Sequence, residues 1–178
     1  YILEARGLLS RDADSPSDPY LRVSLGGLEL DNRREYIKDE ADPQFHRMFE
    51  VEARLPGDSL LQIDVCDHRG GLASRLSSSS DDLIGSTVID LEDRLFSERW
   101  QKEMAQCPPI EWRPLTTPYQ KREQGQLKLW VDLIPSELAA KTEPWDISLA
   151  PEQEWELRVI VWSGIDLPVH DVDSTGLA

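Results

Sequence analysis

Apolar and polar residues alternate along several short stretches of the chain. The alternation is clearest at 21–25, 61–65 and 127–133, where every second side chain is Leu, Ile or Val. Such alternation is typical of β-strands that bury one face and expose the other. With the less regular stretches included, the predicted strands are Tyr1–Ala5, Leu21–Leu25, Phe49–Ala53, Leu61–Val65, Ile84–Ile89, Glu111–Leu115, Leu127–Leu133 and Trp155–Trp162.

The segments between these strands are rich in Gly, Pro, Asp and Ser, which are typical turn residues. Many short strands joined by polar turns predict an all-β protein built as an antiparallel sandwich. Only residues 89–105 have the apolar spacing of a helix, with Leu91 and Leu95 on one side. We therefore expect one short helical insertion in the sandwich.

The charge of the chain restricts its partners. The sequence holds 34 acidic and 19 basic residues, for a formal net charge of −15. Such a surface repels nucleic acid and anionic lipid unless a cation lies between them. We expect no nucleic-acid partner, and we expect a divalent cation if the partner is an anionic membrane.

Cysteine content and hydropathy predict a location. Cys66 and Cys107 are too few for the disulfide framework of a small secreted module, so a reducing, cytosolic environment is expected. No apolar run approaches the roughly 20 residues needed to cross a bilayer. We expect the chain to be a piece of a larger protein, with any membrane anchor outside it.

The last quarter of the chain differs from the rest. Residues 136–178 hold 2 basic and 9 acidic residues, and they begin as a polar, Pro-containing segment. The stretch "WELRVIVWSGIDLP" then resembles the opening "YILEARGLLSRD", since both place an apolar strand before a Gly-containing turn. A tandem repeat explains this similarity. We predict a first domain at 1–135, a linker at 136–153 and the truncated start of a second domain at 154–178.

Acidic residues cluster at the ends of predicted strands. The stretch "DADSPSDPY" at 12–20 follows the first strand, Asp67 follows "LQIDVC", and Asp81 and Asp82 precede "LIGSTVIDL". Calcium takes about six to eight oxygen ligands, so carboxylates from two or more loops must converge at one end of a scaffold. A sandwich can bring these loops to the same edge.

These motifs together resemble a C2 domain, the eight-stranded calcium- and lipid-binding sandwich. The phrases "DLIGSTVIDLEDRLFSERW", "IEWRPLTTPYQKREQGQLKLWVDLIP" and "ELRVIVWSGIDLP" are similar to the ferlins, multi-C2 membrane-trafficking proteins with a C-terminal membrane anchor. The resemblance implies calcium-regulated phospholipid binding in vesicle fusion or membrane repair. It implies as partners an anionic phospholipid membrane, neighbouring C2 domains of the same chain and trafficking proteins, at the cytoplasmic face of a membrane.

The resemblance also implies a ligand set. Calcium-binding C2 domains usually use two aspartates from the first loop and three from the third. Asp12 and Asp18 match the first pair, and Asp67 and Asp82 match the first and last of the three. Arg69 stands where the middle aspartate is expected, and a guanidinium remains protonated there. This departure puts Ca²⁺ binding in question.

The third loop is longer than the usual pattern, since Asp82 follows Asp67 by 15 positions. Asp81 is a candidate replacement for the missing ligand. Leu72 and Leu76 are candidates for entering the membrane interface.

A run of basic residues offers another candidate surface. Arg33, Arg34 and Lys38 could form the basic strand face with which some C2 domains meet phosphoinositides. The alternative is a mixed, solvated surface, because acidic residues are interspersed among them: Asp31, Glu35, Asp39 and Glu40.

The sequence contains no motif that requires catalysis. It has no Gly-x-Ser-x-Gly elbow, no phosphate-binding Gly-rich loop and no Ser/His/Asp or Cys/His arrangement, so we expect no enzyme. Two binding hypotheses remain. One is calcium-regulated phospholipid binding, and the other is a degenerate, calcium-independent C2 domain that acts as a spacer or protein-interaction module. Arg69, the long third loop and the negative net charge favour the second.

Overall fold

The computed structural model of the chain describes residues 1–10, 15–69, 81–104, 109–119, 122–151 and 153–167. Within these ranges eight strands form two four-stranded antiparallel sheets. The strands are β1 (Ile2–Arg6), β2 (Pro19–Leu25), β3 (Leu28–Asp31), β4 (Gln44–Arg47), β5 (Leu60–Asp67), β6 (Asp82–Asp90), β7 (Glu111–Pro114) and β8 (Gln126–Leu129). One sheet has the order β4-β1-β8-β7 and the other β3-β2-β5-β6. The predicted antiparallel sandwich is confirmed.

The core lies between the two sheets and follows from the alternation in the sequence. Leu61, Ile63 and Val65 of β5 are buried on the inner face of one sheet, and Leu127 and Leu129 of β8 are buried on the inner face of the other. Burying such side chains supplies the main favourable free energy of folding. The core residues come from both sheets, so the two layers stabilise each other.

The edge strands β3 and β4 differ from the prediction. The predicted strand Phe49–Ala53 does not form, and Gln44–Arg47 pairs with β1 instead as β4. Phe49 and Val51 still pack against the core through their side chains. The unpredicted β3 is an edge strand whose side chains are mostly exposed, so it lacks the alternation that marks a half-buried strand.

The predicted helical insertion is confirmed as two short helices, α1 (Leu91–Phe96) and α2 (Glu98–Met104). The carboxylate of Asp90 caps α1 by accepting hydrogen bonds from the backbone N–H groups of Glu92 and Asp93. Ile89, which the predicted strand and the predicted helix share, lies in β6, where it pairs with Leu61 and its side chain is buried in the core.

The predicted linker contacts the sandwich. It contains a short helix, α3 (Ser136–Ala139). The indole N–H of Trp145 donates to Asp132 at 3.0 Å, and its backbone N–H donates to the hydroxyl of Tyr1 at 3.1 Å. His46 of β4 donates from Nδ1 to the carbonyl of Ile147 at 2.5 Å. These bonds hold residues 145–147 against the sheet that contains β1 and β4.

The predicted strand Trp155–Trp162 is not formed in the described part of the chain, and its large apolar side chains are exposed. A strand needs a neighbour for its backbone hydrogen bonds, and no described strand pairs with it. The domain boundaries stay a prediction. Across the described ranges, no helix combines the length and apolarity needed to cross a membrane.

Strand pairing brings several loops to one end of the sandwich, which we call the loop edge. Pro19 at the start of β2 pairs with Asp67, and Asp67 pairs with Asp82 at the start of β6. In the other sheet Gln126 pairs with both Arg6 and Pro114. A bridge between Ser86 and Thr116 links the two sheets here. The loop edge therefore carries the connections β1–β2, β5–β6 and β7–β8.

The two sheets pack closely at Gly85, which leaves no room there for a side chain. A Cβ at Gly85 would lie 2.8 Å from Cβ of Leu115 and 3.2 Å from Cβ of Gln124. Because both neighbours are fully buried, we expect Gly85→Ala to lower the free energy of unfolding by about 1–3 kcal/mol in urea titrations. Val88→Ala on the same strand, where the side chain is 46% exposed, should cost less than about 1 kcal/mol. Equal effects would contradict this close packing.

Candidate functional site at the loop edge

Asp18 and Asp67 come together at the loop edge. Asp18 directly precedes β2 and Asp67 ends β5. The backbone N–H of Asp18 donates to Oδ1 of Asp67 at 2.7 Å, and the backbone carbonyl of Asp18 accepts from the N–H of His68 at 2.9 Å. Two of the predicted ligands, from two different loops, are therefore held side by side by direct hydrogen bonds.

Both residues line an open pocket of about 480 Å³. Asp39, from the connection between β3 and β4, also contributes to it, and its backbone N–H donates to Oδ1 of Asp18 at 2.9 Å. In the sequence, Asp39 belongs to a segment of mixed charge, and nothing there distinguishes it from Glu40. The lining residues are Ser15, Pro16, Asp18, Asp39, Asp67, His68 and Arg69.

Arg69 forms a salt bridge with Asp82 through Nη2. The two side chains are 55% and 40% exposed, respectively. The guanidinium that replaces a usual ligand thus engages the carboxylate predicted to be the last ligand. Asp82 is thereby partly neutralised from within the protein.

Asp81, the candidate replacement ligand, has a different environment. Its side chain is only 1% exposed and forms an ion pair with Arg33. The hydroxyl of Tyr20 donates to Oδ2 at 3.0 Å, and the backbone N–H of Arg69 donates to Oδ1 at 3.3 Å. Desolvation alone would raise the pKa of Asp81, but the hydrogen bonds from Arg33 and Tyr20 outweigh it and the pKa is lowered. Asp81 thus fastens the base of the third loop to the sheet.

Tyr20 and Cys66 lie beside Asp81 in the same sheet, paired across β2 and β5. Burial, together with the hydrogen bond and the negative charge of Asp81, raises the pKa of Tyr20. Burial also raises the pKa of the Cys66 thiol to about 11. Both groups therefore stay protonated at neutral pH, and Tyr20 remains a hydrogen-bond donor to Asp81.

The three residues of the predicted basic face have different environments. Arg33 is engaged by Asp81, as described above, and Lys38 lies 3.6 Å from the carboxylate of Asp39. Arg34 is exposed. Because two of the three cations face acidic partners, the charge of this surface is mixed. Its role in lipid binding stays a prediction.

Three further predicted residues, Asp12, Leu72 and Leu76, lie outside the described residues, so their roles stay predictions. Among the described residues, no group of three or more His, Cys, Asp or Glu side chains is arranged to hold a metal ion. The oxygen donors of Asp18 and Asp67 fit a hard cation such as Ca²⁺. Asp82 would have to separate from Arg69 before it could join them.

Comparisons with known proteins agree with this architecture. The family model for the C2 domain matches residues 1–108. Ferlin 2 of Toxoplasma gondii is 33% identical over 168 residues, which cover 94% of this chain and 12% of Ferlin 2. The chain therefore spans about an eighth of the length of this relative.

Solved structures share the fold. A C2 domain of plant extended synaptotagmin 1 matches with a TM-score of 0.52 at 15% identity, covering 71% of this chain and 85% of that chain. The calcium-bound pair of C2 domains from extended synaptotagmin 2 matches with a TM-score of 0.50 at 21% identity, covering 72% of this chain and 42% of that chain. At these identities the likeness shows the fold alone.

The ion pair of Asp81 makes stability depend on pH. We expect Asp81→Asn to lower the free energy of unfolding by about 2–3 kcal/mol at pH 7, because it leaves Arg33 without its charged partner. The pKa of Asp81 in the folded protein lies below its ordinary value of 3.8. The stabilisation is therefore complete above about pH 4 and is lost as the pH falls through the folded-state pKa. Urea unfolding of wild type and variant should accordingly show a difference that shrinks in acid.

Asp82→Asn is the matched control, since it removes a neighbouring carboxylate from an exposed ion pair. It should cost less than about 1 kcal/mol. A difference between wild type and Asp81→Asn that does not change with pH would contradict the assignment.

Proposed function

Because the chain belongs to the C2 domain family, we propose that it binds anionic phospholipid membranes under the control of Ca²⁺. The resemblance to C2 domains and ferlins predicted from the sequence is confirmed. C2 domains and ferlins are generally binding modules, which supports a binding role rather than catalysis. The resemblance to the ferlins implies the wider role that we propose, in vesicle fusion or membrane repair.

The observation that carries this proposal is the convergence of Asp18 and Asp67 in one pocket at the loop edge. Two acidic loops held together by hydrogen bonds concentrate negative charge at the surface. Such a surface repels an anionic bilayer until a cation neutralises it. The solved structure of extended synaptotagmin 2 that shares this fold is calcium bound, which supports Ca²⁺ as the cation.

In the proposed site, Asp12, Asp18 and Asp67 would hold the ion, and Asp82 would join them if it separated from Arg69. Bound Ca²⁺ would supply the positive charge that reverses the local field and attracts phosphate groups of the lipid. The released guanidinium of Arg69 would then also be available to a phosphate. Leu72 and Leu76 would enter the interface, with the chain at the cytoplasmic face of a membrane.

A second candidate function has its own observation. The salt bridge between Arg69 and Asp82 already neutralises one predicted ligand without a metal ion. A domain built in this way could act as a calcium-independent spacer or protein-interaction module. Neighbouring C2 domains of the same chain and trafficking proteins are the partners expected under this alternative.

Asp18→Asn tests the calcium-regulated function by liposome co-sedimentation. We expect wild type to sediment with vesicles that contain phosphatidylserine when Ca²⁺ is present. The variant should bind at least about tenfold more weakly, since it loses a charged ligand. Glu98→Gln, which removes one exposed charge on α2 at the opposite end of β6, should behave like wild type. Sedimentation that is independent of both Ca²⁺ and Asp18 would contradict the proposal.

Arg69→Gln separates the two candidate functions. If Ca²⁺ competes with Arg69 for Asp82, isothermal titration should show roughly fivefold tighter Ca²⁺ binding in the variant than in wild type. A fivefold change in affinity corresponds to about 1 kcal/mol, the free energy expected for a partly exposed ion pair such as Arg69–Asp82. If neither protein gives a saturable heat at millimolar Ca²⁺, the calcium-independent function is favoured.

A further inference from the structure

The connection between β7 and β8 also lies at the loop edge, and hydrogen bonds join its two ends. The backbone N–H of Leu115 donates to the carbonyl of Gly125 at 2.8 Å, and the N–H of Gln124 donates to the carbonyl of Leu115 at 2.8 Å. Gln124 is fully buried, and its side-chain amide donates to the carbonyl of Arg122 at 2.7 Å. The two ends of the connection are thus hydrogen-bonded to each other.

Contacts to both sheets fix the direction of this connection. The N–H of Leu9, in the first loop, donates to the carbonyl of Gln124 at 3.2 Å. Ser86 of β6 and Thr116 exchange two backbone hydrogen bonds of 2.8 and 2.9 Å. Because β6 begins at Asp82, beside Asp67, the connection projects from the same edge as the acidic pocket.

The chemistry of this connection differs from that of the pocket. Tyr119 is 96% exposed, and Arg122 is exposed nearby in the sequence. The stretch "TTPYQKR" at 116–122 holds two basic residues and no acidic one, in a chain with 34 acidic residues. Tyrosine rings favour the headgroup region of a bilayer, and Arg binds lipid phosphates directly. Tyr119 and Arg122 are therefore suited to an anionic membrane surface, and neither needs a metal ion to bind it.

We propose that Tyr119 and Arg122 form a second contact with anionic phospholipid bilayers, independent of Ca²⁺ and beside the calcium-regulated site. The proposal rests on the proposed membrane-binding function, because it uses the same orientation of the loop edge. With one contact on each sheet of the sandwich, the domain would meet the bilayer through both sheets.

A fluorescent label at Tyr119 tests the contact directly. The 178-residue chain with Cys107→Ser and Tyr119→Cys carries an environment-sensitive dye, while the buried Cys66 stays protonated and inaccessible. Vesicles of phosphatidylcholine and phosphatidylserine should shift its emission to the blue in Ca²⁺, and to a smaller extent in EGTA, where the charge of the acidic pocket at the same edge is not neutralised. The same dye at Ala53→Cys is the control, because this exposed position lies at the opposite end of the sandwich, in the connection that places Asp58 beside Gly26.

Unlabelled variants give the energetic test by co-sedimentation. Arg122→Gln should weaken vesicle binding about fivefold, the effect of one basic residue near an anionic surface. Tyr119→Ala should weaken it several-fold, and Tyr119→Trp should restore it. Arg54→Gln, at an exposed position near Ala53, should leave binding unchanged.

The outcomes separate this inference from the proposed function. Calcium-dependent binding with no spectral shift at position 119, and with Arg122→Gln equal to Arg54→Gln, would overturn the second contact only. Binding through Tyr119 with no dependence on Ca²⁺ would support the second contact and overturn calcium control. Absence of any vesicle binding by wild type would overturn both.

Discussion

The pairing of β5 with β2 on one side and β6 on the other is the constraint on which the loop edge depends. Pro19, Asp67 and Asp82 lie in one row across these three strands. Since side chains alternate between the faces of a sheet, a shift of one residue in this register would turn Asp67 to the opposite face. The buried side chains of Leu61, Ile63 and Val65 oppose such a shift, because it would expose them to water.

The sequence was informative wherever burial imposes a period on the chain. The strands β2, β5, β6 and β8 could be predicted because buried and more exposed side chains alternate along most of their length. The edge strands β3 and β4 could not, since fewer of their side chains are buried. Phe49 and Val51 led to a wrong strand prediction. Their side chains pack against the core, but the segment that carries them forms no β-sheet hydrogen bonds.

At the candidate site, the sequence motifs indicated which loops come together, but not which ion pairs their acidic residues form. Asp18 and Asp67 could be predicted from the Asp-Pro-Tyr motif and from the acidic end of β5. The difference between Asp81 and Asp82 could not be predicted, although they are neighbours in the chain. Asp81 is buried and forms an ion pair with Arg33, 48 residues earlier in the chain. Asp82 is partly exposed to solvent and forms an ion pair with Arg69. Both roles depend on tertiary contacts that have no local sequence signal.

The anchoring of Asp81 bears on how this loop can change in evolution. Hydrogen bonds and strand pairing hold the residues on both sides of positions 70–80, so the sheet does not depend on the length of the segment between them. The entropy of closing a loop grows only with the logarithm of its length, and each doubling costs about 0.6 kcal/mol. Insertions between these anchors should therefore be tolerated easily, so related domains could vary in this segment while keeping the same fold.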